Sequence, residues 1–103
     1  MKRGFDLEGI QYLRDSLKRL RIMSSKKVDN IQLISELHNL EWLILSDSVP
    51  LESSRVLEPL RNLDALTLRG SSYFIDGDLR ALEKRRESIK YYNVAHKSHY
   101  VYK

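Results

Sequence analysis

The sequence has no cysteine. No disulfide can staple it and no thiolate can ligate a metal, which points to a reducing compartment, with the cytoplasm as the expected location. Long apolar runs are also missing. Lys2, Arg3, Asp6 and Glu8 interrupt the start, so no secretory signal is visible, and no stretch approaches the roughly 18 apolar residues of a membrane span. The four glycines, Gly4, Gly9, Gly70 and Gly77, form no phosphate-cradling loop. No G-x-S-x-G elbow surrounds any serine, so hydrolase chemistry finds no support. His96 and His99 are three apart and could both face a metal if the tail were helical, but a zinc site takes three or four ligands and no cysteine or nearby carboxylate completes this one. Asp76 and Asp78 flank Gly77 in a pattern that could hold calcium, yet turn and helix-cap duties explain them with fewer assumptions. Neither an enzyme nor a resident metal or cofactor is expected.

What remains is an ordinary globular composition, 42% hydrophobic and 31% charged over 103 residues, enough for one modest core and too little for two. The net charge of +4, from 18 basic and 14 acidic residues, is mild. It suits an acidic protein surface or nucleic acid, or serves solubility alone.

The chain is organised around residues 37 to 68, where one line is written twice. Leu37-His38-Asn39-Leu40-Glu41-Trp42-Leu43-Ile44-Leu45 returns 23 residues later as Leu60-Arg61-Asn62-Leu63-Asp64-Ala65-Leu66-Thr67-Leu68. Both read L-x-N-L-x-x-L-x-L. Stepping the same interval outward fills further apolar columns: Leu20, Leu43, Leu66, Ile89; Ile22, Leu45, Leu68, Tyr91; Leu17, Leu40, Leu63, broken at Arg86. On the return side stand Ile10, Leu33, Val56, Leu79 and Phe5, Val28, Leu51, Phe74.

This pattern resembles the leucine-rich repeat, whose units each pair a short strand with a more helical return segment and stack on one another. The resemblance implies an α/β fold: a solenoid with a short parallel sheet of about four strands on its concave face and helices and turns on its convex face. One position departs from it. Where the consensus has asparagine or cysteine, this chain has Ser25, Ser48, Ser71 and then Val94. A serine hydroxyl offers fewer bonds than an asparagine amide, so an ordinary asparagine ladder is in doubt.

In chain order, residues 1–14 read as a partial repeat or N-terminal cap with Phe5, Leu7, Ile10 and Leu13 at helical spacing, residues 15–91 as 23-residue repeats, and residues 92–103 as a capping tail. The mid-repeat start fits either a cap or a piece of a longer chain. After a turn at Ser24, Ser25, Lys26 and Lys27, Asp29 or Asn30 can cap a short helix over 31–37. Ser53 or Ser54 can cap a turn through Val56 and Leu57 that Pro59 ends, and Asp78 a helix from Leu79 to about Arg86. Alternation at Tyr100-Val101-Tyr102 predicts a short strand or a tail over the open end of the core. Ile75-Asp76-Gly77-Asp78-Leu79, Lys90-Tyr91-Tyr92 and His96-Lys97-Ser98-His99-Tyr100 resemble the closing segment of small bacterial leucine-rich-repeat proteins. Some of those sit beside toxin systems as immunity or interaction partners, and the resemblance implies protein binding.

Because side chains alternate along a strand, burying Leu43 and Leu45 turns Trp42, Ile44 and Ser46 to the concave side. The same rule sends Arg19, Arg21 and Met23 there, with Ala65, Thr67 and Arg69, and with Ser88, Lys90 and Tyr92 from the last strand. Arg19, Arg21, Trp42, Ile44, Thr67, Arg69, Lys90 and Tyr92 are thus the candidate partner-binding residues, an aromatic and aliphatic centre with a basic border. An acidic protein is the expected partner. An immunity-like inhibitor of a toxin is the alternative, and a nucleic-acid-binding module a lesser one, because Glu36, Glu41, Glu52, Glu58, Asp64 and Glu83 interrupt any basic stripe. Trp42 could instead serve the fold alone, packed on Met23 and Ala65. The first strand has no visible neighbour before it, and a free edge is a template for a homodimer, though Lys18, Arg19 and Arg21 repel a second copy.

Overall fold

The structure, a computed structural model, describes residues 5–6, 9–13, 15–25 and 27–103, the first pair and residues 10–11 by their backbone. Its strands are β1 (Phe5–Asp6), β2 (Arg19–Met23), β3 (Val28–Asp29), β4 (Trp42–Ser46), β5 (Ala65–Arg69) and β6 (Tyr91–Val94). Three-ten turns lie at Ile10–Leu13, Ile31–Glu36, Ser54–Leu57 and Arg86–Ser88, and a single α-helical turn, α1, at Arg80–Glu83.

Leucine and isoleucine at alternate positions give each central strand one apolar edge, and that edge makes the core. β2, β4, β5 and β6 pair in that order, all parallel, in one four-stranded sheet. Leu43, Leu45 and Leu66 have no exposed surface and Leu68 has 1%. Leu37, Leu40, Leu57, Leu60 and Phe74 close the core from the connecting segments. From β2 to β5 every partner lies 23 residues away, as in Leu20, Leu43 and Leu66. The chain leaves these strands at Ser24, Asp47 and Gly70, all three with positive φ. At the last, glycine leaves room for the Asp47 carboxylate, which a Cβ would push aside.

The last strand breaks the interval. Ala65 pairs with Tyr91 and Leu66 with Tyr92, 26 residues on. The expected columns Leu66–Ile89 and Leu68–Tyr91 are therefore corrected to Leu66–Tyr92 and Leu68–Val94. Ile89, 3% exposed, is a core residue just ahead of β6. The extra length is taken up by α1 and the following three-ten turn, which stand where one helix over Leu79 to Arg86 was expected.

Outside the sheet stands a second, discontinuous ladder of parallel pairings. β1 pairs with β3 through Phe5 and Val28, Leu51 bridges Phe74, and Asp78 bridges Val101. The Phe5, Val28, Leu51, Phe74 column is thus strand-like, where helical return segments were expected. Phe5–Asp6 is a strand and not part of a helix; Leu7, like Lys26 in the predicted turn, lies outside the described residues.

The caps divide. Ser53 accepts from the Arg55 N–H at 3.2 Å and Asp78 from the Arg80 N–H at 3.1 Å. Asn30 makes no side-chain cap bond and bends the chain by its left-handed backbone, while Asp29 belongs to β3. The buried serine pair is Ser48 with Ser72, hydroxyls 2.8 Å apart, and not Ser48 with Ser71, which is exposed and donates to the Ser48 carbonyl. The amides of the L-x-N-L lines do step from one line to the next: Asn62 Nδ2 donates to Asn39 Oδ1, and Asn39 Nδ2 to the Asp15 carbonyl.

The tail closes the far end. Tyr100 is 7% exposed within the core, and its hydroxyl accepts from the Phe74 N–H at 3.0 Å. Val101 is joined to the second ladder by bonds to the Gly77 carbonyl and from the Leu79 N–H.

Candidate functional site

One face of the four-stranded sheet is covered by the core and the other is open. Parallel registration arranges the open side chains in rows across the strands. The first row reads Arg19, Trp42, Ala65, Tyr91; the second Arg21, Ile44, Thr67, Asn93; the third Met23, Ser46, Arg69. Trp42 is 37% exposed, Met23 47% and Tyr91 62%. Apolar side chains left this exposed contribute little to the fold, whereas a partner that covers them gains much.

The rows hold three arginines and no carboxylate. Arg19 places its guanidinium 4.5 Å from the centre of the Trp42 ring, an arrangement that fixes the indole and leaves the cation in water. Arg21 Nε donates to Met23 Sδ at 2.9 Å. Carboxylates stand at the rim: Glu41 pairs with Lys18 at 3.6 Å ahead of β4, and Asp47 accepts from the Ser71 N–H beyond β4. The first two rows enclose a hollow of about 270 Å3 lined by Trp42, Ile44, Ala65, Thr67 and Tyr91.

Of the expected residues, Arg19, Arg21, Trp42, Ile44, Thr67 and Arg69 share this face, and the other two do not. Tyr92 pairs with Leu66 and turns its side chain to the core, with its hydroxyl out of reach of water. Lys90 precedes β6, beside Asp64, whose carbonyl accepts from the next N–H, that of Tyr91. Ser88 likewise lies in a three-ten turn off the sheet. Tyr91 takes their place, with Asn93 after it. The adjacent tyrosine was visible in the sequence, but only the 26-residue step identifies which of the two faces out.

The tail histidines are engaged by neighbouring groups. His96 Nδ1 meets the Tyr102 hydroxyl at 2.7 Å, and His99 Nε2 meets the Phe74 carbonyl at 3.0 Å. Among the described residues, no three of histidine, cysteine and carboxylate side chains converge on one point. Asp78 is gripped by the Arg80 guanidinium at 2.8 and 2.9 Å, which holds its carboxyl far below the usual carboxylate range. His38 is exposed beside Glu58, Pro59, Arg61 and Asn62, away from the open face. A larger hollow, about 440 Å3, lies beside α1 between Arg55, Arg80, Lys84 and Lys103, with Asp78 and Glu83 in the same wall. Two carboxylates among four cations leave it no single sign of charge. No helix among the described residues is long and apolar enough to cross a membrane. The chain matches no protein-family profile, no curated protein and no solved structure.

Proposed function

We propose that the chain is a short leucine-rich-repeat solenoid and that its open, concave sheet face binds an acidic protein. One observation carries the reading: three arginines and the half-exposed Trp42 stand on a sheet face that has no carboxylate. A desolvated tryptophan supplies affinity, and arginines around it steer an oppositely charged partner.

The test replaces Thr67 by a photo-reactive residue, identifies the protein cross-linked to it, and titrates that protein by calorimetry at two salt concentrations. Trp42→Ala should cost about 2 kcal/mol or more of binding. Arg69→Ala should slow association and flatten its salt dependence without abolishing binding. Unchanged affinity in both variants, with both folded, removes the face from the interaction and moves attention to the tyrosine-rich tail. If the captured protein is a toxin, the reading narrows to an immunity-like inhibitor.

A second reading has its own support. Two exposed rings, Trp42 and Tyr91, among arginines are also what bases of a single strand stack upon. An oligonucleotide that binds more tightly than every protein tested favours it.

A further inference from the structure

We infer that the hollow between Trp42 and Tyr91 is a socket for one apolar side chain, aliphatic or aromatic, carried in an acidic stretch of the partner protein. This deepens the proposed reading and rests on it.

Size is the first argument. At about 270 Å3 the hollow falls below the range of roughly 300 to 1,000 Å3 in which drug-sized ligands are held. Trp42 and Tyr91 are two strands apart in one row, hence about 10 Å from backbone to backbone. Between two rings at that spacing there is room for one side chain. The residue between them is Ala65, the smallest in its row and 7% exposed, so it forms a floor and does not fill the gap.

Orientation is the second. Arg19 and Ala65 flank Trp42 on opposite sides, from β2 and β5. Arg19 takes one face of the indole at 4.5 Å, which fixes the ring, and Trp42 itself lines the hollow. The socket therefore exists before anything enters it, and binding spends little on ordering it.

Charge decides the occupant. Arg19, Arg21 and Arg69 stand on the same face as the hollow, in its two rows and the next, and no carboxylate stands in any of the three rows. A lysine or arginine side chain would meet like charge there. An apolar side chain enters at no electrostatic cost, and carboxylates on either side of it reach Arg21 and Arg69.

The experiment uses fluorescein-labelled heptapeptides of glutamate and aspartate with one variable central residue: leucine, phenylalanine, alanine or lysine. Anisotropy gives affinity. Trp42 is the only tryptophan in the chain, so its emission, followed with unlabelled peptides, reports what enters the socket. Leucine and phenylalanine peptides should bind about tenfold more tightly than the alanine peptide and shift Trp42 emission. Ala65→Leu, which fills the floor, and Tyr91→Ala, which removes a wall, should each erase that preference and leave the salt-dependent part of binding in place. Melts of both variants check their folding.

Equal affinity for all four peptides, lost at high salt, overturns the socket and leaves the acidic-partner reading standing. Tightest binding of the lysine peptide overturns the socket's charge argument. No binding of any peptide at millimolar concentration overturns both readings. An oligothymidine that shifts Trp42 emission where the peptides do not replaces them with the nucleic-acid reading.

Discussion

Tyr92 shows at the scale of one residue how a side chain can face the core without being fully satisfied there. Its hydroxyl is buried with no hydrogen-bond partner among the described residues, and Arg86 lies over its ring at 4.7 Å. Burial, then the nearby Glu83 carboxylate, pushes its pKa from 10.0 up to about 12. Burial raises that of Tyr100 as well. A folded-state pKa above the unfolded one means that the folded protein holds the proton more tightly. The associated stability is complete below 10.0 and is lost as pH rises from there to about 12. Tyr92→Phe keeps the ring and removes the hydroxyl. At neutral pH its urea midpoint should equal or exceed the parent's, since no hydrogen bond is lost and a buried hydroxyl without a partner is removed. Its decline across the alkaline window should be shallower, with Tyr100 leaving a remainder. A loss of about 1 kcal/mol or more at neutral pH would reveal a hydrogen bond to the hydroxyl after all.

Among the elements, the extra residues before β6 are held by Arg85. Its guanidinium donates to the Leu57 carbonyl at 2.9 Å and the Leu60 carbonyl at 2.6 Å, across the turn that contains Pro59. Each carbonyl also accepts a backbone N–H, that of Leu57 from Leu60 and that of Leu60 from Leu63, so Arg85 is a second, charged donor to both. Arg85→Met keeps most of the stem and removes the charged second donor of both carbonyls, so chemical denaturation should show a loss of about 1 to 3 kcal/mol. A variant as stable as the parent would mean that water serves those carbonyls equally well. The same segment marks where the sequence stops being legible. The columns from Leu20 to Leu66 could be read directly because leucines recur on one interval and alternate along each strand. Glu83 and Arg86 fall in leucine columns on that interval, and their polarity looked like the fading of a last unit. They are in fact displaced by three residues. An odd displacement inverts alternation, and a one-position slip already exchanges the two faces of a strand. The 23-residue interval therefore predicts Tyr92 outward and Tyr91 inward, the reverse of what is found. The second ladder was hidden differently: its Phe5, Val28, Leu51, Phe74 column was visible, but single apolar positions do not distinguish a strand from a turn that packs on the core.

For the molecule as a whole, about 41 by 28 by 19 Å, the sheet's edges decide whether copies associate. β2 is paired only with β4 among the described residues. Lys18 accepts from the Trp42 N–H and Ser24 donates to Ser46, so the even-numbered residues of β2 turn their peptide groups to β4. Those of Arg19, Arg21 and Met23 face outward, with no strand partner among the described residues, a ladder that a second chain can extend. Two-fold pairing there is antiparallel. Centred on Arg21, it sets Arg21 against its own copy, with Arg19 opposite Met23. Like charges directly opposite one another across strands are destabilising, and neither Arg19 nor Arg21 has a carboxylate in its row to offset them. The edge is thus suited to a homodimer in its backbone and guarded against one by its side chains. Light scattering at low salt should give a monomer mass for the parent. Arg21→Thr, which removes the opposed charge and favours strand structure, should shift the mass toward a dimer at the same concentration. High salt should do so partially in the parent, because the screening length falls from about 10 Å at 0.1 M to about 3 Å at 1 M. A monomer under all three conditions would show that the side chains on this edge are not what keeps copies apart. A parent dimer at low salt would place the contact on another surface.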